Sequence, residues 1–360
     1  MYPGNNTPEG FFSYYQYILG QREADRIICI KGGPGVGKST FMKKIGEAML
    51  EEGHDVDFMH CSSDNNSLDG IVLRDKKIAL IDGTSPHVVD PVNPGAVDSI
   101  IHLGDYWNED GIRKNKEALI SNNERIRSIF SRAYNYLAAA GKMYDNLSSI
   151  YESAINHVEF YKISAEIVGD ELAHREISSR QGDVKKYFAS AITPGGFEHY
   201  LGTLVQDCRK IYLIQAPVGV SSERMLNLLM EGAVYRGFSV EAYYCPMKPA
   251  TKLEHLLIPE LRLAFVTSNQ YHSLNATALD AEEVILINLD NIIHYDGIRY
   301  QEGILDDSKK KMEELLDKAI FCLKQAKNEH DDLEKYYVPN MDFLKIDALR
   351  QELTHKISQR

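Results

Sequence analysis

The sequence predicts an α/β fold laid down twice, each copy a set of alternating strands and helices followed by a long helical arm. Three observations lead there. The first is an internal repeat: RIICIKGGPGVGKS, from Arg26, returns 184 positions later as KIYLIQAPVGVSSE, keeping Ile27/Ile211, Ile30/Ile214, Gly35/Gly219 and Val36/Val220 in register. EEGHDVDFMHC aligns likewise with YRGFSVEAYYC, SLDGIVLRDKKIALIDGTSPH with KLEHLLIPELRLAFVTSNQYH, and DGIR recurs whole at Asp110 and Asp296. A period of about 185 residues is far too long for a solenoid and fits a duplicated domain. The second observation is that short apolar, β-branched runs alternate with helix-period segments, the pattern of a parallel sheet covered on both faces. The third is a proline-free stretch between Pro94 and Pro194 with apolar residues at helical spacing.

Taken in order, TPEGF at Thr7 and its echo TPGGF at Thr193 open the two copies. Residues 26–31 and 210–215 read as first strands, each meeting a turn and then a helix. Second strands end at Cys61 and Cys245, third strands cover 77–82 and 261–267, and fourth strands lie near 98–103 and at 283–289. Asp64 and its serine neighbours read as caps of a helix near Leu68. The first arm carries Ile126, Ile129, Phe130, Ala133, Tyr134, Leu137, Tyr144, Leu147, Ile150, Tyr151, Ile155 and Val158, with a break expected near Gly141 or around 152–157. The second arm repeats it in shorter form through Met312, Leu315, Leu316, Ala319, Leu323, Leu333 and Tyr337, then Pro339 and a last helix to about Ser358. Such stripes ordinarily serve core or coiled-coil packing. The expected division is 1–190, with its arm from about 111, and 191–360, with its arm from about 300.

Composition bounds the function. The 360 residues exceed what one core usually holds, and 44% apolar with 26% charged is an ordinary globular balance. Forty Lys and Arg against 52 Asp and Glu leave a formal charge of −12, the wrong sign for a broad nucleic-acid surface. No run approaches the ~18 apolar residues of a membrane span. MYPGNNTPEG lacks a basic region followed by an apolar run, so the expectation is a cytoplasmic protein. Cys29, Cys61, Cys208, Cys245 and Cys322 are scattered without a CxxC pair, which argues for reduced thiols over a disulfide framework or a cysteine-built zinc site.

One motif carries chemistry. Gly32-Gly33-Pro34-Gly35-Val36-Gly37-Lys38-Ser39-Thr40 fits G-x-x-x-x-G-K-[ST] between the first strand and a helix beginning near Lys38. The glycines let successive N–H groups surround a phosphate chain, and the helix N-terminus adds partial positive charge. Lys38 would reach the β- and γ-phosphates, while the Ser39 hydroxyl suits Mg²⁺. Lys77-Ile78-Ala79-Leu80-Ile81-Asp82 follows as a buried strand ending in an acid, in the manner of a Walker B strand, so Ser39 and Asp82 are the expected Mg²⁺ positions. No glutamate follows Asp82, so the catalytic acid of motor-type ATPases is missing there. Asp64 or Asp69 could serve as a base toward water or an acceptor hydroxyl. Thr84 and His87 are candidate γ-phosphate sensors, although His272 repeats His87 in the second copy. Arg113 could act as a charge-stabilising finger, but Arg299 repeats it too. A His60/Cys61/His87 metal site lacks local ligand spacing.

The P-loop together with HCSSDNNSLDG, DGTSPHVVDP and the tandem second half resembles, over nearly the whole chain, an uncharacterised bacterial family of duplicated P-loop proteins typical of Gram-positive spore formers, described only as ATPases. The resemblance implies two tandem P-loop NTPase-like domains with parallel sheets, each followed by a helical hairpin arm, and nucleotide binding; it implies no physiological reaction. The second half departs from the motif. Gly32, Gly37, Lys38, Ser39 and Asp82 correspond there to Ala216, Ser221, Ser222, Glu223 and Thr267, so the phosphate-binding lysine and both magnesium positions are gone.

The leading expectation is Mg²⁺-dependent hydrolysis of a nucleoside triphosphate, most simply ATP, at one site per chain, with the second half as pseudo-symmetric partner in an internal pseudo-dimer. One alternative is a small-molecule or nucleotide kinase with Asp64 as base. Another is a nucleotide-operated switch whose helical arms bind a protein partner. Arg224 and Arg299 are the cations the second half would bring to the first site. No adenine- or guanine-reading motif is visible.

Overall fold

In the computed structural model, residues 1–85 and 88–359 are described; His87 lies outside them. β1 (Gly4–Thr7) and β2 (Gly10–Ser13) form a hairpin. β3 (Arg26–Lys31) runs into α1 (Lys38–Glu51), and β4 (Val56–His60), β5 (Leu68–Leu73), β6 (Ile78–Asp82) and β7 (Asp98–His102) complete a five-stranded sheet in the order β4-β5-β6-β3-β7. α2 (Glu109–Arg113), α3 (Lys116–Glu152) and α4 (His157–Val168) follow. β8 (Val184–Tyr187) leads to the hairpin of β9 (Ser190–Thr193) and β10 (Gly196–His199), then to α5 (Leu201–Leu204) and β11 (Lys210–Gln215). After α6 (Glu223–Tyr235), β12 (Val240–Tyr244), β13 (Leu253–Ile258), β14 (Leu263–Ser268) and β15 (Glu283–Asn288) join β8 and β11 in a second sheet of order β15-β11-β14-β13-β12-β8. α7 (Tyr295–Ile298), α8 (Glu302–Tyr337) and α9 (Phe343–Ser358) end the chain.

The protein is therefore mixed α/β, and its sheets are mixed as well, which corrects the expectation of parallel ones. β3 is parallel to β6 and β7, whereas β5 is antiparallel to both β4 and β6; β13 stands likewise between β12 and β14. The cause is chain length. Only residues 61–67 separate β4 from β5, and 74–77 separate β5 from β6, too few for the crossover that parallel neighbours require. The helix expected near Leu68 is the strand β5, whose six residues are all buried. Apart from β8 at its edge, the second sheet repeats the order and directions of the first. Even the irregularity between Met59 and His60 recurs between Tyr243 and Tyr244.

α3 passes unbroken through Gly141 and ends at Glu152, so of the two expected breaks the one around 152–157 is where the helix stops; Asn156 then caps α4 by accepting from Val158 and Glu159 N–H. α8, with 36 residues against 37 in α3, is no short copy. Each spans about 55 Å at 1.5 Å per residue. The two helices pack against one another through Ala133, Leu137, Ala140, Tyr144 and Leu147 on α3 and Met312, Leu316, Ala319, Cys322 and Leu323 on α8. They run antiparallel, for Asn122 and Arg125 reach Glu329 at one end while Leu147 and Leu305 line one cavity at the other. The apolar stripes read from the sequence are spent on this contact.

Beyond the paired helices the arms cross. α9 packs on α1, and its Ile346 and Ile357 share a core with Met42 and Ile45 of α1 and with Ile28, Ile30 and Leu80 of the first sheet. α4 packs on α6, and its Phe160 and Ile167 share a core with Leu226 and Leu229 of α6 and with Tyr212 of the second sheet. Each arm thus closes over the sheet of the other half. Among the described residues no helix is long and apolar enough to cross a membrane.

Candidate functional site

The glycine-rich segment 32–40 lies between β3 and α1, at the carboxyl end of the parallel strands, where open α/β sheets bind ligands. Val36 is buried against the core and anchors the turn, and Lys38 is the first residue of α1. Its ammonium donates to the Gly33 carbonyl at 2.9 Å and the Gly32 carbonyl at 3.3 Å. Asp82 closes β6, paired in register with Ile30, so strand pairing brings its carboxylate to 3.7 Å from Lys38 Nζ. The other Asp82 oxygen accepts from Thr84 N–H at 2.9 Å and Thr84 Oγ1 at 2.6 Å, which assigns Thr84 to orienting this carboxylate. Ser39 Oγ accepts the Leu68 N–H at 2.9 Å. Lys31, just before the loop, donates to the Gly83 and Val89 carbonyls and to Asp90, tying down the segment after β6.

A long wall over this loop comes from the second half. A Cβ on Gly33 would lie 2.9 Å from Tyr337 Cε1, and one on Gly35, whose φ is +66°, would lie 3.1 Å from both Glu334 Cβ and Val338 Cγ2. Further along the same face of α8, Lys327 Nζ stands 3.5 Å from Asp64 Oδ2 and also pairs with Asp331. His330 Nδ1 stands 3.5 Å from Glu334. Burial holds His330 below its ordinary pKa, so it is neutral at pH 7. Sequence reasoning missed this wall. Its signal was present in the spacing Lys327, His330, Asp331, Glu334, Tyr337, which places the five on one helical face.

The other expected residues fall as follows. Both Asp64 oxygens are engaged: Oδ1 accepts from Asn66 N–H, and Oδ2 accepts from Ser67 Oγ beside Lys327. Asp69 is buried beside Tyr15 and Cys61; burial and then the Asp69 charge push both the phenol and the thiol well above their ordinary range. His60 stacks on Tyr200 with centroids 3.9 Å apart, and burial pushes it down to about 3, so it serves packing as a neutral ring. The sulfur of Cys61 accepts from Ser63 N–H. Arg113 pairs with Glu109 on its own short helix, Arg299 with Asp296 at 2.7 Å, and Arg224 with Glu152 at 2.8 Å, all near the surface.

At the corresponding place in the second half, α3 covers the loop with Leu147 and Tyr151 against Gly219. Below it lies a buried polar cluster. Lys252 Nζ donates to Tyr144 Oη at 2.8 Å and to Glu254 Oε1 at 3.0 Å, with His272 Nε2 3.7 Å from the same oxygen. Ser222 and Thr267, which stand for Lys38 and Asp82, share a hydrogen bond of 2.7 Å. Glu254, His255 and His272 bring three ligand-type atoms within 4.8 Å of one another, yet they fit a metal poorly. Lys252 already neutralises Glu254, and His255 Nδ1 accepts the Thr267 N–H, which leaves the proton on Nε2, the nitrogen that would have to ligate.

The comparisons with known proteins add no name to this geometry: no family model matches the chain, and no curated protein or solved structure matches it either.

Proposed function

We propose that residues 32–40 bind a Mg²⁺-nucleoside triphosphate, most simply ATP, and that the chain hydrolyses it slowly at this one site. On this reading the chain is a fused pseudo-dimer of two P-loop NTPase-like units, the second of which has lost its phosphate chemistry. The observation that carries it is the convergence of Lys38 and Asp82, 3.7 Å apart, at the mouth of a glycine-rich turn that opens a 14-residue helix. A strand, a turn of inward N–H groups and a helix N-terminus are what a phosphate chain needs. Ser39 Oγ and Asp82 are hard oxygen donors on adjacent elements and fit Mg²⁺, which when bound would neutralise phosphate charge. Gly83 stands where motor-type ATPases carry a catalytic acid, which is why turnover is expected to be slow.

A second reading, the nucleotide-operated switch, is favoured by one observation: α8 lies against Gly33 and Gly35, so a change in the loop is felt along the α3/α8 pair. The kinase alternative with Asp64 as base is weakened by the partners already on both its oxygens. Calorimetric titration with AMP-PNP and Mg²⁺ tests the main reading. Binding should saturate at one nucleotide per chain and vanish in Lys38→Ala, while the variant's unfolding temperature stays near that of wild type; wild-type affinity in the variant ends the assignment.

A further inference from the structure

The face of α8 turned to the loop carries Lys327, His330 and Glu334, and nothing so far gives the lysine a task. We propose that Lys327 is the residue through which the second half of the chain reads the terminal phosphate of the bound nucleotide, making the site selective for triphosphate over diphosphate. The inference rests on the nucleotide-site reading above and deepens it.

Three observations carry it. The first is position. Tyr337 and Glu334 lie on Gly33 and Gly35, and Lys327, two turns earlier, lies on Asp64. The 61–67 turn that holds Asp64 ends at Leu68, whose N–H is bonded to Ser39 Oγ. The last turns of α8 therefore cross the mouth of the loop from its glycines to its serine, with an ammonium at the serine end. The second is chemistry. The Lys327 ammonium stands between the carboxylates of Asp64 and Asp331, at the end of a flexible stem. Phosphate oxygens compete for it on the same charge-assisted terms. Near the loop, Asp64, Asp82, Asp331 and Glu334 accumulate negative charge, so a bound triphosphate needs cationic relief beyond Lys38.

The third is an asymmetry between the two covering helices. Counting back 186 positions, α3 carries Gly141 where α8 has Lys327, Tyr144 where it has His330, and Ser148 where it has Glu334, yet Tyr151 where it has Tyr337. The tyrosine that packs on the glycine loop is present on both arms. Asp331 keeps its charge as Asp145, which pairs with Lys248, the counterpart of Asp64, whereas Lys327 and Glu334 have no charged counterpart on α3. The second half ties its covering helix to the same turn with the charges reversed, Asp145 on the helix and Lys248 on the turn, so a tether does not require a lysine on the helix; the cation sits on the helix only over the loop that contains Lys38.

The test uses the full-length protein and two titrations, AMP-PNP and ADP with Mg²⁺, repeated with GMP-PNP and GDP as a second pair. In Lys327→Ala, affinity for the triphosphate analogue should fall roughly ten- to hundred-fold, as expected for a lost charge-assisted contact. Affinity for the diphosphate should change less than about two-fold, and Lys327→Arg should keep most of the preference. Lys327→Gln, closer in length, replaces the alanine variant if that one is unfolded. An equal loss for both nucleotides makes Lys327 a structural tether, and no loss makes it a bystander; either result overturns the inference and leaves the nucleotide site standing. Failure of the wild type to bind any of the four nucleotides removes the site itself, and the inference with it.

Discussion

Replacing Lys252 by methionine tests whether the second half is closed by its own buried charge. Lys252 and Glu254 are 6% and 1% exposed, and the ammonium is bonded to Glu254 and to Tyr144 of the other half. Burial pushes the Glu254 carboxyl up, but the Lys252 charge outweighs it and holds the group well below the usual carboxylate range. Burial pulls Lys252 down, but Glu254 and Tyr144 outweigh it and hold the ammonium well above its ordinary value. The carboxylate's contribution is therefore present above its unfolded pKa and the ammonium's below its own, so the pair stabilises fully between about pH 4.5 and 10.5. Removing one partner of a buried pair costs about 3–5 kcal/mol, a large part of the ~5–15 kcal/mol that holds a typical domain. At about 2–4 °C per kcal/mol the melting temperature should drop by roughly 6–20 °C. Stranded Glu254 can take up a proton in the variant, so the defect should shrink as the pH falls from 7 toward 5. Lys252→Met/Glu254→Gln should recover more than half of the loss, because no unpaired charge remains. Thermal and urea unfolding of wild type, Lys252→Met, Glu254→Gln and the double variant at pH 7 and pH 5, followed by circular dichroism, measures all of this. A single-variant loss below about 1 kcal/mol, or additive effects in the double variant, would refute a coupled buried pair.

Asp82→Asn should raise the Mg²⁺ concentration needed for turnover far more than it lowers nucleotide affinity, since the backbone cradle is untouched while the metal shell is loosened; an unchanged Mg²⁺ titration of phosphate release would leave Asp82 as a strand end only. Residues 1–190 expressed alone lack α9, whose Ile346, Leu349, Leu353 and Ile357 cover the first sheet and α1. The fragment should be insoluble or lack a cooperative transition, and co-expression with 191–360 should restore it. A monomeric fragment that unfolds cooperatively would contradict the crossing of the arms.

The first strand, its glycine turn and the helix after it are legible because each signal is local: RIICIK is an apolar run of strand length, and Lys38 opens a helix-period segment. The repeat is legible because its matches keep one spacing, while the end of α3 was legible only as one of two places, Gly141 or 152–157, between which the cap at Asn156 decides. β5 and β13 were not legible. LDGIVL is short enough to fit either helix or strand, and LEHLLI is buried at all six positions despite Glu254 and His255. A fully buried strand with charged residues violates the alternation rule, and the reason it survives is Tyr144, 108 residues earlier in the chain, hydrogen-bonded to Lys252. The wall over the glycine-rich loop was hidden for a related reason. Helical spacing shows that α8 has a charged face but not which sheet that face meets, and the crossing of the arms is decided by packing between segments some 300 residues apart, such as Ser358 on Glu52.

That crossing gives the degenerate half a reason to persist. Under the pseudo-dimer reading, each glycine loop is roofed by the arm of the opposite unit: α8 by Tyr337 on Gly33, α3 by Tyr151 on Gly219. Loss of phosphate chemistry in the second loop then frees two things, the loop itself and the stretch of α3 above it. Both differ in the expected direction, with Ser222 and Thr267 bonded to each other below and Gly141, Tyr144 and Ser148 above. The space holds an internal cation, Lys252, in place of an external ligand's charge. What such a loss cannot free is α8 or α9, because these roof and support the loop that still has Lys38, Ser39 and Asp82. The second unit can therefore surrender its own site while remaining a wall of its partner's. The same logic predicts where substitutions are tolerated: along the α3 face above Gly219 far more readily than along the α8 face from Lys327 to Tyr337.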